Sequence, residues 1–473
     1  MNKSTKAQSA KLRVWFIAVG ITAIATALRL YRLGDWSFWV DEMFTLVDVT
    51  HGGSLGRYHG MTYPLSYILI GLSIDQFGIS EWSARIIPAL FGIVTPVIVY
   101  LLSRRIFGET AAIAGAVIVA ISPWHLYWSQ MARFYTMTVF FSSVSLLVLH
   151  KGLEEGRRSW IGASGILMAL GVLSHYSAFL VLVAVAVYVS LILLLRWPRP
   201  KGLTLINSLL YLAPFILGAI LLGSRAHSLL AKYAGGHPTG THIVDPVHAA
   251  AYMIFSIGYR LEPVVALFAV VGIWIGLRRR DRGALLLTTA VVIPTLLMII
   301  AGMLSHAENR YAFVILPAGA LLAGLAVAGI SDILWPKAKA LAVVTLLALT
   351  FPLIQHDALY FSSVYNGERW NYRGAAQYIK EHAEPGDRVY AAMWTPLAHY
   401  LKDSGITAQD LTLGTDDNSL PGSGAWIVME DDTRGKSAST DMSDWINHNC
   451  SLEAHFPASS PVTNYGLSVY RRR

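Results

Sequence analysis

Apolar residues run along this chain in long blocks rather than in alternation with polar ones. Such blocks lie at 14–31, 83–103, 110–126, 134–150, 159–174, 177–195, 203–223, 262–277, 283–304, 311–330 and 339–355. Many approach the ~20 residues that a helix needs to cross a bilayer. A soluble core would interrupt them with a polar face. The pattern predicts a polytopic α-helical membrane protein with about eleven transmembrane helices. A shorter apolar piece at 246–258 reads as re-entrant or interfacial. If it spanned the bilayer, the topology of everything after it would invert.

The pattern changes after residue 355. The tail is polar, with a helix expected at 372–382, a Glu-Pro-Gly-Asp turn at 384–387, and strands at 388–392 and 425–429. The chain therefore divides into a transmembrane domain at 1–355 and a small α/β domain at 356–473.

Composition supports the membrane reading. Of 473 residues, 54% are hydrophobic and 14% charged, against about 25% charged in soluble domains. The formal charge of +8 does not indicate a nucleic-acid partner, because the basic residues sit in short clusters between apolar blocks. Those clusters assign orientation. With the N-terminus in the cytoplasm, eighteen Lys and Arg fall on the cytoplasmic side, among them Arg104, Arg105, Arg157, Arg158, Lys201 and Arg278 to Arg280. Nine fall on the other side, before the tail is counted. Positive charge favours the cytoplasmic face, which puts 32–82, 224–261 and the tail outside in a multi-pass cell-membrane protein. The first apolar block is followed by Arg29-Leu-Tyr-Arg32 rather than by small residues, so it is expected to be a retained helix. The single cysteine, Cys450, precludes an intrachain disulfide, and no Cys/His cluster suggests a metal site.

Candidate chemistry concentrates at the outer ends of the spans. The first outer loop carries Trp36-Ser-Phe-Trp-Val-Asp41-Glu42, an acidic pair beside aromatic anchors. Interfacial aromatics hold backbone at the headgroup level, where a carboxylate can take a proton from an attacking hydroxyl or amine. The plain alternative is a solvated loop with aromatic anchors. Arg85, Arg133 and Arg310 begin three spans on the same face. Each could simply snorkel to the interface. As a set beside an acidic pair they suit a phosphate, which guanidinium binds bidentately. His175-Tyr176 falls at the outer turn between two spans, where a structural hydrogen bond competes with substrate contact. No Gly-rich nucleotide motif is present.

Taken in order, these segments resemble bacterial members of glycosyltransferase family 39, of the GT-C superfamily, whose relatives include protein O-mannosyltransferases and lipid A aminoarabinose transferases. The resemblance rests on Leu28-Arg-Leu-Tyr-Arg-Leu33 leading into Trp39-Val-Asp41-Glu42, on Tyr63-Pro-Leu-Ser-Tyr67, and on Arg85-Ile-Ile-Pro88 with Phe91-Gly92. Ser122-Pro123 through Ser129-Gln-Met-Ala-Arg133-Phe-Tyr135, Ser174-His175-Tyr176, Arg310-Tyr311 with Pro317, and Trp370-Asn-Tyr-Arg-Gly-Ala-Ala376 complete it. It implies a GT-C-like bundle with outer-loop interfacial helices, and transfer of sugar from a polyprenyl-phosphate donor on the non-cytoplasmic face. It implies Asp41 as base or acceptor-positioning group with Glu42 beside it, and Arg85, Arg133, Tyr135, His175, Arg310 and Tyr311 as substrate-binding residues. The family's His-Pro-Pro is Thr62-Tyr63-Pro64 here, a departure that suggests a different acceptor. Metal use varies among such relatives; a divalent metal stays open, and no ligand set is visible.

Two other readings share the helices and the outer charges. A lipid or sugar transporter would place ionisable sites near the bilayer midplane, whereas these candidates lie at the span ends. A membrane glycan polymerase or ligase differs in its acceptor, which the sequence does not name.

Overall fold

The computed structural model describes residues 3–50, 64–234, 245–304, 308–333, 338–384, 386–411, 422–431, 440–461 and 463–473. Helices occupy all eleven predicted stretches: α1 (Lys3–Leu30), α4 (Glu81–Phe107), α5 (Glu109–Ala120) with α6 (Pro123–Ser129), α7 (Tyr135–Glu155), α8 (Arg158–Ser174), α9 (Ala178–Leu194), α10 (Leu205–Ala234), α12 (Pro263–Arg278), α13 (Arg282–Leu304), α14 (Leu316–Ile333) and α15 (Ala338–Tyr360). Between α1 and α4 lie α2 (Val40–Thr50) and α3 (Pro64–Phe77); α11 (Pro246–Leu261) precedes α12. Among the described residues, six helices are long and apolar enough to cross a membrane alone, and up to eight spans result if each bent pair counts as one.

Both bends have local causes. Between α5 and α6 the axis turns by 52°. Ser122 accepts a hydrogen bond from the His125 N–H and Pro123 occupies the first turn of α6, so a new helix starts where the predicted span would have continued. Between α11 and α12 the turn is 94°. There Glu262 takes φ +71° and Pro263 restarts the helix. The apolar piece predicted at 246–258 is thus a helix set nearly at right angles to its successor.

The bundle packs through small residues, as helices in lipid must when no hydrophobic drive separates protein from solvent. A Cβ added at Gly272 of α12 would lie 1.8 Å from the Leu322 carbonyl of α14, and one at Gly324 of α14 would lie 2.2 Å from the Ala111 carbonyl of α5. These glycines let three backbones touch. The outward surfaces of α1, α9, α10 and α15 keep Trp15, Phe16, Leu194, Leu205, Leu347 and Phe351 exposed, as a lipid-facing belt would.

The tail forms α16 (Tyr372–His382), β1 (Arg388–Ala391), α17 (Trp394–Leu401), β2 (Thr407–Asp410), β3 (Trp426–Glu430), β4 (Cys450–Phe456) and β5 (Leu467–Arg472). The five strands make one sheet in the order β2-β1-β3-β5-β4, parallel among the first three and antiparallel at β3-β5 and β5-β4. Ile379, Val389, Leu397, Trp426 and Val469 build its core. The tail grips the first loop. The Arg373 N–H donates to Ser37 Oγ (3.0 Å) and its guanidinium reaches the Gly34 and Asp35 carbonyls (3.2 Å each) and Glu81. The Phe38 N–H donates to the Tyr400 hydroxyl (2.6 Å), which itself donates to Glu81 (2.5 Å).

Candidate active site

The first loop enters α2 through Ser37-Phe-Trp39, and the next residues, Val40-Asp-Glu42, form its first turn. Acidic side chains are favoured there by the helix dipole. Adjacent residues on a helix point about 100° apart, so Asp41 and Glu42 separate at once.

Glu42 turns inward. Arg85 Nε and Nη2 donate to its two carboxylate oxygens at 2.8 and 2.7 Å, and the Ala132 N–H adds a third bond at 2.7 Å. Arg85 spends its remaining donors on the Leu33, Trp36 and Ser37 carbonyls. Both side chains are fully buried. Neither leaves an exposed atom for a ligand, so the expectation that Arg85 binds substrate and Glu42 joins the chemistry gives way to a buried pair that shapes the loop.

Asp41 turns the other way, toward Arg133 and Arg310. Arg310 Nη1, at the 3₁₀ turn Asn309–Ile315 ahead of α14, donates to Asp41 Oδ2. Arg133, in the short connection between α6 and α7, lies 3.8 Å from the same oxygen. It also donates to the Asp41 carbonyl (2.8 Å) and to Thr45 Oγ1 (3.1 Å). The Nε atoms of Arg133 and Arg310 are buried with no hydrogen-bond partner among the described residues. Buried donors are normally satisfied, so the two guanidiniums hold donor capacity that the described residues do not use.

The surrounding wall is aromatic. His175 stacks on Phe134 at 4.2 Å and faces Tyr135, Tyr176 and Tyr311 at 5.3, 4.1 and 5.4 Å. Its Nδ1 accepts from the Ser177 N–H (3.1 Å) and lies 2.9 Å from Ser177 Oγ. Burial, reinforced by Arg133 and Arg310, holds this imidazole well below its ordinary value, so it is neutral near pH 7. Of the eight candidate residues, six converge here: Asp41, Arg133, Tyr135, His175, Arg310 and Tyr311. Thr45 and Tyr176 join them. Thr62 and Tyr63, from the segment resembling His-Pro-Pro, lie outside the described residues.

The Asp41 carboxylate is flanked by two guanidiniums, and among the described residues no three His, Cys, Asp or Glu side chains converge to hold a metal ion.

A second polar cluster escaped the sequence reading. Arg260 of α11 donates to Glu368 at 2.5 Å, and His356 of α15 bridges Glu262 (2.7 Å) and Glu368 (3.6 Å). Beside it, Arg369 donates to the Gln130 carbonyl (2.6 Å), and the Gln130 side chain accepts from Trp36 and Tyr360. Apart from His356 and Glu368, these partners lie 94 to 239 residues apart, with no local spacing to betray them.

The family of dolichyl-phosphate-mannose-protein mannosyltransferases matches residues 61–220. YkcB of Bacillus subtilis (strain 168), itself a candidate mannosyltransferase, is 25% identical over 179 residues, or 38% of this chain. The matched chain spans only 25% of that relative's length. Among solved structures, ArnT of Cupriavidus metallidurans bound to undecaprenyl phosphate superposes with a TM-score of 0.52 at 14% identity, covering 98% of both chains. The oligosaccharyltransferase AglB of Archaeoglobus fulgidus, in complex with an inhibitory peptide and a dolichol-phosphate, gives a TM-score of 0.58 at 15% identity, over 96% of this chain and 74% of AglB. The segment 61–220 is thus similar to a family of membrane mannosyltransferases, and the chain shares its fold with ArnT and AglB.

Proposed function

We propose that this protein transfers a sugar from a polyprenyl-phosphate carrier to an acceptor on the non-cytoplasmic face of the membrane, with Asp41 taking the acceptor's proton. The observation that carries this reading is the meeting of Asp41 with Arg133 and Arg310, drawn from three distant segments onto one aromatic-walled site. A polyprenyl phosphate is anionic, and the unused Nε donors of both arginines are suited to its oxygens. The structures of ArnT and AglB carry undecaprenyl phosphate and dolichol-phosphate, which supports the same class of donor here.

The chemistry follows from the charges. The acceptor oxygen or nitrogen attacks the anomeric carbon, and the bond from that carbon to the phosphate oxygen breaks. The electron pair leaves with the polyprenyl phosphate, where the arginines offset the developing charge. The acceptor's proton passes to Asp41. Asp41 Oδ2 accepts a hydrogen bond from Arg310. Engagement of Arg310 by the phosphate frees that oxygen, so arrival of the donor readies the base. Displacement in one step inverts the anomeric centre. Neutral His175 keeps the arginine pair spaced by stacking, and Tyr135 and Tyr311 line the sugar's path.

The test is transfer from a panel of radiolabelled polyprenyl-phosphate sugars in membranes carrying the wild type or Asp41→Asn. Loss of the base lowers turnover by roughly 10²–10⁴-fold while donor binding survives. Near-normal turnover in Asp41→Asn removes this residue from the mechanism, and absence of transfer by the wild type from every donor favours a transporter.

A further inference from the structure

Helix α7 starts at Tyr135 in the candidate active site and ends at Glu155. Its 21 residues rise about 30 Å, so its far end lies at the opposite membrane surface. There an apolar cavity of about 290 Å³ opens between α7, α8, α9 and α10. Leu153, Ile161, Val185 and Leu212 contribute to its walls, and no charged residue lines it. Its rim residues Ala186 and Leu212 are exposed on the lipid-facing side, so the cavity opens sideways into the bilayer.

The mouth of this groove is polar and basic. Lys201 and Arg158 are both exposed, with no acidic partner among the described residues. They belong to one surface, because Gly156 packs against Lys201 (a Cβ at Gly156 would lie 3.4 Å from the Lys201 Cβ) and the Gly202 N–H bonds the Leu153 carbonyl at 2.7 Å. Trp160 and Trp197 flank them, half-buried, as residues at a headgroup boundary do. Beneath Lys201 sits Asn207, 5% exposed. Its amide nitrogen donates to the Gly202 carbonyl at 2.8 Å, which fixes the orientation of the amide. The carbonyl oxygen is then left buried in the groove wall without a donor among the described residues. Such an acceptor calls for a hydroxyl from outside the protein.

We propose that this groove binds an anionic phospholipid with a hydroxyl-bearing headgroup. One chain fills the apolar cavity, the phosphate meets Arg158 and Lys201, and a headgroup hydroxyl donates to Asn207 Oδ1. The site is separate from the sugar-transfer site, at the other end of α7. Basic clusters between helices at the membrane surface recognise anionic lipid in this way.

The experiment reads lipid retained by the full-length protein after exchange into mixed micelles of phosphatidylglycerol and phosphatidylcholine, by native mass spectrometry. Two basic residues at the surface should give retained phosphatidylglycerol a preference of roughly tenfold or more. The double variant Arg158→Gln with Lys201→Gln alters only exposed side chains and should bring the preference close to unity. Ala186→Trp, which fills the groove from its rim, should remove retention of either lipid. Equal retention of both lipids by the wild type overturns the proposal. So does an undiminished preference in the double variant. Displacement of retained phosphatidylglycerol by stoichiometric undecaprenyl phosphate also overturns it, because the groove would then belong to the carrier lipid.

Discussion

Two neighbouring carboxylates meet opposite environments one residue apart. Asp41 faces two arginines with unused donors, and Glu42 is sealed against Arg85. Their substitutions should therefore differ in kind. Asp41→Asn removes activity and leaves thermal stability in detergent close to wild type. Glu42→Ala leaves Arg85 charged, buried and unpaired, a defect worth about 3–5 kcal/mol, so it should lower the unfolding temperature and activity together. Equal losses of stability in the two variants would deny the distinction. Arg310→Ala should weaken binding of a polyprenyl-phosphate probe, a lost buried charge contact costing about 2–5 kcal/mol. Arg310→Lys should restore part of it, since lysine keeps the charge but lacks the planar fork. Probe affinity unchanged in Arg310→Ala would take the phosphate away from this residue. Asp41, Arg133 and Arg310 were legible in the sequence, because charges at span ends are few and costly. That Arg85 answers Glu42 rather than a ligand was not, because the two lie 43 residues apart and nothing in their local sequence tells an internal partner from an external one.

Helix positions follow closely from the apolar pattern, and helix contacts do not. The Ser122-Pro123 restart is written locally, yet its 52° bend turns α6 so that Gln130 reaches the Leu28, Arg29 and Tyr31 carbonyls at the end of α1. The glycine contacts between α12, α14 and α5 carry the tightest packing. Gly272→Ala should be destabilising by about 1–3 kcal/mol, the usual cost of overpacking, seen as a lower unfolding temperature in detergent. Gly218, whose added Cβ would meet nothing, is the control, and its alanine variant should match the wild type. At the join between α11, α15 and the tail, burial acts to raise the Glu368 carboxyl, but Arg260 and His356 outweigh it and bring the group down to about 2 from the usual 4.5. A depressed carboxyl stabilises the fold above its unfolded value and loses that contribution as pH falls through the folded one. Stability should therefore decline between about pH 4.5 and 2 in the wild type. Glu368→Gln should be less stable at neutral pH and flatter across that window; a parallel decline in both proteins would remove Glu368 as its cause.

At the scale of the molecule, the tail is bonded to the first loop, which leads into the helix that carries Asp41. Arg373 and Tyr400 hold Gly34 to Phe38 from outside, and α2 with Asp41 follows two residues later. Tyr400→Phe removes the acceptor of the Phe38 N–H and the bond to Glu81 while keeping the ring. Turnover should fall several-fold while the tail stays folded, read by its resistance to limited proteolysis; full activity would make the grip dispensable. The orientation inferred from charge has its own check, since reporters fused after residue 360 should read as non-cytoplasmic.

The sequence by itself determined a many-helix membrane protein, the location of eleven apolar stretches though not of the apolar helix α3, and the helix and two of the strands in the tail near 372–382, 388–391 and 426–430. It could do so because bilayer thickness and backbone hydrogen bonding act on consecutive residues, and leave their mark as length and period. It also singled out the charged residues at the span ends. Tertiary structure alone decided which of them face one another. Asp41 meets Arg310 across 269 residues, and Arg260 meets Glu368 across 108. Such pairings depend on how helices pack, and in lipid that packing is set by small residues and shape rather than by a hydrophobic stripe that a reader of the chain could see.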